Sequence, residues 1–180
     1  MKKEYLIKIT EANKFMRLLI IPIVLISMLP FGCIWGTDHL KLFITNFYTT
    51  ESLFYGIALI FSIALHELIH GITWCYFTQN GWNSIKFGIL WNSLTPYCHC
   101  KEPLTAHQYR MGLLMPTIVL GIIPTITAWI FGSVFLLVYG IIMIISGAGD
   151  LMIYRLIVKI RGNTKIKDHP TEIGVIIESD

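Results

Sequence analysis

His66-Glu67-Leu68-Ile69-His70 stands inside an apolar run, about Ser52 to Phe77, long enough to cross a lipid bilayer. Three ionisable side chains at such a depth are expensive, so they demand a partner. A helix sets residues i and i+4 on one face, and His66 and His70 therefore converge on one point. Neutral imidazoles are good zinc ligands, and a catalytic zinc takes three protein ligands plus a water. Glu67, on the adjoining face, can take a proton from that water, whose pKa the metal lowers to about 7. Two histidines one turn apart with a glutamate between them point to a metalloprotease. The alternative is an accidental spacing without metal, which lipid penalises by leaving charge unpaired.

The composition agrees with a membrane setting. The chain has 180 residues, of which 54% are hydrophobic and only 14% charged, and the apolar residues come in long runs. The basic residues flank those runs and form no stripe with stacking aromatics, which argues against a nucleic-acid partner. Of the four cysteines, Cys33 and Cys75 fall in different runs, and Cys98 and Cys100 are too close for an ordinary disulfide. No small-residue cleavage site follows the first apolar run, so a removable leader is not expected.

Four spanning helices can be drawn: about Leu18 to Trp35, Ser52 to Phe77, Met111 to Phe131 and Val134 to Val158. Only Gly132-Ser133 separates the last two, which predicts a tight helical hairpin. Trp35, Trp74, Tyr76, Trp129 and Tyr154 lie near the ends, where interfacial aromatics sit. Lys and Arg crowd the N-terminal arm, the loop around Lys86, Lys101 and Arg110, and the tail from Arg155 to Lys167. That bias predicts a multi-pass protein of the cell membrane with both termini and the middle loop in the cytoplasm. The loop cysteines are then expected to be reduced.

The middle loop, about Thr78 to Arg110, holds two candidate strands, Ser84 to Trp91 and Thr95 to Cys100, joined by the turn residues Asn92-Ser93. The arm from Glu4 to Lys14 suits an interfacial helix or a strand, and Thr171 to Ser179 suits a strand. The expected fold is thus a single all-α membrane domain over residues 1–180, with four transmembrane helices and a small cytoplasmic β-hairpin.

The metal needs a third ligand. Within the four spans Asp150 is the only other acidic residue, and it follows the small run Ser146-Gly147-Ala148-Gly149. His66 is 14 residues past Ser52 and Asp150 is 16 past Val134. At ~1.5 Å per residue, both sit roughly 20–25 Å below the outer surface. Zn²⁺ with Asp150 and Glu67 ionised sums to zero charge, the cheapest state in a low dielectric. Asp150 as a structural partner of a tyrosine or a backbone group is the competing reading.

These pieces resemble the putative zincin peptidase family of small bacterial multi-pass membrane proteins. The resemblance rests on His66-Glu67-Leu68-Ile69-His70-Gly71, on Tyr97 to Leu104, on Gly112-Leu113-Leu114-Met115-Pro116, on Ser146 to Asp150, and on Asp168-His169-Pro170. The layout is also similar to the site-2 proteases, whose metal is held by two histidines of one membrane helix and an aspartate of a later one. That likeness implies His66, His70 and Asp150 as zinc ligands and Glu67 as the catalytic glutamate. Site-2 proteases set the aspartate in Asn-Pro-Asp-Gly or Leu-Asp-Gly, whereas Gly149-Asp150-Leu151 stands here.

Secondary candidates are fewer. His99 faces opposite to Cys98 and Cys100 if the segment is a strand, and could hydrogen-bond an oxyanion or hold the substrate backbone; a water-facing loop histidine is the alternative. Cys98-His99-Cys100 is too tightly spaced for a zinc knuckle. Pro116 and Pro124 each free a carbonyl one turn earlier, which can serve a site, although a packing kink is the preferred reading. Glu102 and Lys101 read as solvated charges, His169 as a possible cap on the site, and His39 and His107 carry no signal. The function expected is a zinc-dependent, membrane-embedded peptidase acting on a membrane protein or peptide, with Glu67 activating the zinc-held water. A zinc-containing binding or regulatory membrane protein without proteolysis is the alternative, and an ion transporter is a further one, disfavoured by the lack of an inverted repeat. Association into a homo-oligomer is compatible with the sequence.

Overall fold

The computed structural model describes residues 2–39, 41, 50–91, 95–169 and 174–178. Strand β1 (Lys2–Leu6) leads into the long helix α1 (Ile9–Trp35), and α2 (Thr50–Cys75) carries the histidine motif. A 3₁₀ turn (Gly81–Ser84) precedes the antiparallel hairpin β2 (Ile85–Leu90) and β3 (Thr95–Cys100). Strand β4 (Leu104–Thr105) then opens α3 (Ala106–Pro116), a π-helical stretch (Thr117–Ile122) and α4 (Ile123–Phe131). Helices α5 (Val134–Ser146) and α6 (Ala148–Ile157) are followed by β5 (Lys165–Asp168) and β6 (Gly174–Glu178). The Asn92-Ser93 turn lies outside the described residues.

Three helical stretches, Thr10–Trp35, Ser52–Cys75 and Ala106–Phe131, are long and apolar enough to cross a membrane. A fourth crossing requires α5 and α6 together, and they are bent by 48°. The expected segment from Val134 to Val158 is thus present as two helices: the chain breaks at Gly147, where the Thr117 side chain packs so closely that a Cβ would collide with it. Gly132 takes a left-handed conformation at φ 70° and Ser133 caps α5, which gives the tight turn expected between the third and fourth segments.

The helical expectation holds in the main, and the strands go beyond the one hairpin expected. The protein is mostly helical, but a second antiparallel sheet of order β1-β6-β5-β4 joins both ends of the chain to the start of α3. β1 pairs along β6 from Lys2↔Glu178 to Leu6↔Gly174, and β4 pairs with β5 at Leu104↔Ile166. Short alternating segments such as Lys165-Ile166-Lys167-Asp168 bury Ile166 and Asp168 on one face and leave lysines on the other. One core lies under this sheet and includes Trp74, Ile85, Leu104, Tyr109, Ile166 and Val175. A second lies at the far end of the helices around Phe31, Leu137 and Ile141.

Helix contact at the centre is set by small residues. A Cβ on Gly140 would meet the Gly121 carbonyl at 2.7 Å and the Thr125 amide at 3.0 Å, so the helices touch almost backbone to backbone. Elsewhere α1 and α2 turn residues such as Leu18, Ile21, Phe54 and Ile60 outward, as lipid-facing helices do. Trp74 departs from the expected interfacial role: it is 3% exposed and stacked between His70 and Tyr109. Glu102 is the solvent-facing loop charge expected, and it is also a structural one. It accepts hydrogen bonds from Gln79 N at 2.9 Å, from Asn80 Nδ2 at 2.7 Å and from the Ser84 hydroxyl, and so staples the loop after α2.

Two outcomes follow. Gly140→Val is expected to destabilise the protein by about 1–3 kcal/mol through overpacking, whereas Gly149→Ala, with nothing within 4 Å of its added methyl, is neutral; thermal unfolding in detergent compares them. The Ser84 hydroxyl, then the Gln79 amide, hold the Glu102 carboxyl down at about 2. Its ionised form therefore supports the loop at any pH above the free carboxyl range of about 4.3, and that support is lost as pH falls toward 2. Amide exchange at Gln79 and Asn80 should stay slow between pH 7 and pH 5 in the wild type and be faster throughout that range in Glu102→Gln.

Candidate metal centre

The centre is built on α2. His66 and His70, one turn apart, place their rings 4.9 Å from each other on the buried side of the helix. Asp150 comes from the first turn of α6, reached only after the break at Gly147. Its Oδ2 lies 3.0 Å from His66 Nε2, and its Oδ1 lies 3.3 Å from His70 Nε2. The equal depths deduced from helix rise are thus matched by direct juxtaposition. Among the described residues, His66, His70 and Asp150 form the group whose ligand atoms, all within 4.8 Å of one another, could hold a metal ion.

The donor set fits zinc in two ways. Bonds of about 2.0–2.1 Å in a tetrahedron hold ligand atoms about 3.3 Å apart. The two His–Asp separations, 3.0 and 3.3 Å, are of that size, each to its own carboxylate oxygen, and one ligand atom from each of the three residues lies within 4.8 Å of the others. The second test is tautomeric. His70 Nδ1 is 2.9 Å from the carbonyl oxygen of Gly112, so Nδ1 must carry the proton and donate. In neutral His70 the Nε2 lone pair then faces a carboxylate oxygen, two acceptors with nothing between them. Only a cation, a proton or a metal, reconciles that arrangement, and support of the second ring nitrogen by a carbonyl is the usual second sphere of a metal-bound histidine. His66 lacks this support: its Nδ1 is buried with no partner among the described residues.

The partner of His70 shows what the prolines do. In an α-helix the N–H of residue 116 would bond the carbonyl of residue 112, but Pro116 has none. The carbonyl so released is the one that accepts from His70. The preferred reading of Pro116 as a packing kink is corrected, because its released carbonyl serves the site. Gly112 is equally constrained, since a Cβ there would collide with the Trp74 indole that stacks on His70.

Glu67 is half-buried and accepts a hydrogen bond from the backbone N–H of Cys98, so β3 passes directly over the motif. The next outward-pointing amide, Cys100 N, donates to Asp168 Oδ2 at 2.7 Å. Both amides on the outer edge of β3 are thus taken by carboxylates. In an antiparallel pair such groups alternate, which leaves the backbone of Phe87 and Ile89 directed to the outer edge of β2. His99 points to the other face of β3, with Nδ1 3.6 Å from Asp168 Oδ2. Burial pushes the Cys100 thiol up to about 11 and the Cys98 thiol higher still, so both stay protonated at neutral pH. All four cysteines are free.

Gly112 and Asp168 were not singled out from the sequence as working parts of the site. Pro116 was the available signal for Gly112. Asp168 sits in a tail motif whose neighbour His169 drew the attention instead. The family model of the putative zincin peptidases matches residues 59–164. The comparisons with curated proteins and with solved structures found no match.

His66→Ala, His70→Ala and Asp150→Ala are each expected to lower zinc affinity by at least about 100-fold, because three-ligand sites lose a covalent-strength donor in each case. Elemental analysis after dialysis against a weak chelator measures this. Wild-type zinc content in any of the three would remove that residue from the ligand set.

Proposed function

Because the chain belongs to the putative zincin peptidase family, we propose that it is a zinc-dependent, membrane-embedded peptidase that hydrolyses peptide bonds in or next to the bilayer. The observation that carries this reading is the convergence of His66, His70 and Asp150 beside Glu67 on helices apolar enough to span a membrane. Zinc held there by His66, His70 and Asp150 would polarise the scissile carbonyl and make water acidic enough to deprotonate near neutral pH. Glu67 takes the proton of the attacking water and delivers it to the leaving amine, a transfer for which a carboxylate at the metal's side is suited. The Cys98 amide fixes the carboxylate's position while leaving an oxygen for the proton. His99 supplies a hydrogen bond to the developing oxyanion or to the substrate backbone.

The substrate is a membrane protein or peptide whose segment has been unwound, since helical peptide bonds are hidden in their own hydrogen bonds. An extended segment pairs with the outer edge of β2, because the outer edge of β3 is occupied at Cys98 and Cys100. Both termini and the sheet face the cytoplasm. The pairing of β1 with β6 and of β5 with β4 puts the chain ends and the start of α3 on one side, which supports counting α5 and α6 as a single fourth crossing.

Glu67→Gln is expected to retain zinc and to lose cleavage by about 100-fold or more, as removal of a general base does. The check is metal content beside hydrolysis of dye-quenched casein in detergent. Cleavage by Glu67→Gln at the wild-type rate would sink the proton-transfer role, and wild-type behaviour of that variant in the cell would favour a non-proteolytic zinc protein.

A further inference from the structure

Asp168 lies beyond the matched family region, in the last residue of β5, yet it is one of the few buried carboxylates of the protein. A buried carboxylate needs its oxygens satisfied, and here three groups from two other elements face it. The Tyr109 hydroxyl of α3 donates to Oδ1, the Cys100 amide of β3 donates to Oδ2 at 2.7 Å, and His99 Nδ1 faces Oδ2 at 3.6 Å. Each contact leads toward the metal centre. Cys100 is two residues along the strand from Cys98, whose amide holds Glu67. Tyr109 stacks on Trp74 with ring centroids 5.2 Å apart, and Trp74 stacks on His70 at 5.1 Å. His99 is the residue between the two anchored amides.

We propose that Asp168 is a positioning residue of the peptidase site: through the Cys100 amide it pins β3 over Glu67, and through His99 Nδ1 it directs the opposite ring nitrogen of His99 toward the substrate. The tail strands are then a working part of the site, and β5 is held in place to deliver this carboxylate by its pairing with β4 and β6. An aspartate does this where an asparagine cannot, because both oxygens accept and the negative charge favours the Nδ1–H tautomer of His99. The inference rests on the peptidase reading for the role of His99, but the pinning of β3 does not.

The test uses the full-length, zinc-loaded protein in detergent, as wild type, Asp168→Asn, Asp168→Ala, His99→Ala and the double variant Asp168→Asn/His99→Ala. Three quantities are read: zinc content, amide exchange over residues 95–100, and kcat and KM on dye-quenched casein. Zinc content is expected to stay at the wild-type level in all of them. Exchange at Cys98 and Cys100 should rise about tenfold or more in Asp168→Ala, as loss of a charge-assisted hydrogen bond requires. Asp168→Asn should lower kcat about tenfold with KM little changed, and the double variant should be no slower than His99→Ala alone, because the two residues act as a unit. Unchanged exchange in Asp168→Ala overturns the pinning of β3. Losses that multiply in the double variant overturn the action through His99. Should wild type cleave casein no faster than Glu67→Gln, the peptidase reading fails on its own account, and the exchange comparison still decides whether Asp168 pins the strand. Should Asp168→Ala not fold, Asp168→Asn carries both measurements, with faster exchange at Cys100 as the supporting result and wild-type exchange as the opposing one.

Discussion

The hydrogen bond from His70 Nδ1 to the Gly112 carbonyl is the interaction on which the centre depends. Inside an apolar medium every backbone carbonyl is committed to its own helix, so none is available to orient a side chain. Pro116 releases one, at Gly112, where the Trp74 side chain of α2 packs against α3. Gly112 lets the Trp74 indole lie against that spot, and the indole covers the face of His70. A π-helical stretch, Thr117–Ile122, follows directly after the proline. One proline thus frees the carbonyl that settles the tautomer and orientation of His70.

The other requirement is neutrality. Two imidazoles, a carboxylate and a glutamate in one cluster cannot all keep their ordinary charges without a cation among them. Asp150 meets the histidines only because α5 and α6 part at Gly147 with a bend of 48°. The break also places Asp150 in the first turn of α6, where unpaired amides favour a negative charge. A straight helix would have kept the same depth but not the same heading. The small residues around the break act through Gly147, which Thr117 abuts, and not through Gly149, whose missing side chain faces open space.

Much of this was legible in the sequence. The long apolar runs and the spacing of His66, Glu67 and His70 carry their meaning locally, and Asp150 follows from the rise of a helix applied to two segments. The family match over residues 59–164 bears out the family resemblance, three or four helices are apolar enough to span a membrane, and the strands among the described residues add sheet to a mostly helical fold. What stayed hidden depends on contacts between distant elements. Strands of four or five residues such as β5 carry too little periodicity to announce a sheet that links residue 2 to residue 178. Trp74 sits at a helix end, where lipid interfaces attract tryptophan, and only the approach of Tyr109 shows that it is inside. Asp168 looks like any charge in a basic tail until the sheet turns it inward.

The hairpin ties these threads together. A strand laid across a membrane active site invites the idea of an open edge awaiting a substrate, and β3 is the strand nearest the motif. Its outward amides are nevertheless already spent, Cys98 on Glu67 and Cys100 on Asp168. β3 therefore acts as a wall that holds the Glu67 carboxylate from one side and the tail aspartate from the other. Docking by strand addition has to use the far edge of β2, where Phe87 packs over Gly71, directly after the motif, and remains 46% exposed. A peptide added there would lie one strand spacing, about 4.8 Å, beyond β2, and so two spacings, about 9.6 Å, from β3. To reach Glu67 it would have to cross the hairpin tip or bend around it.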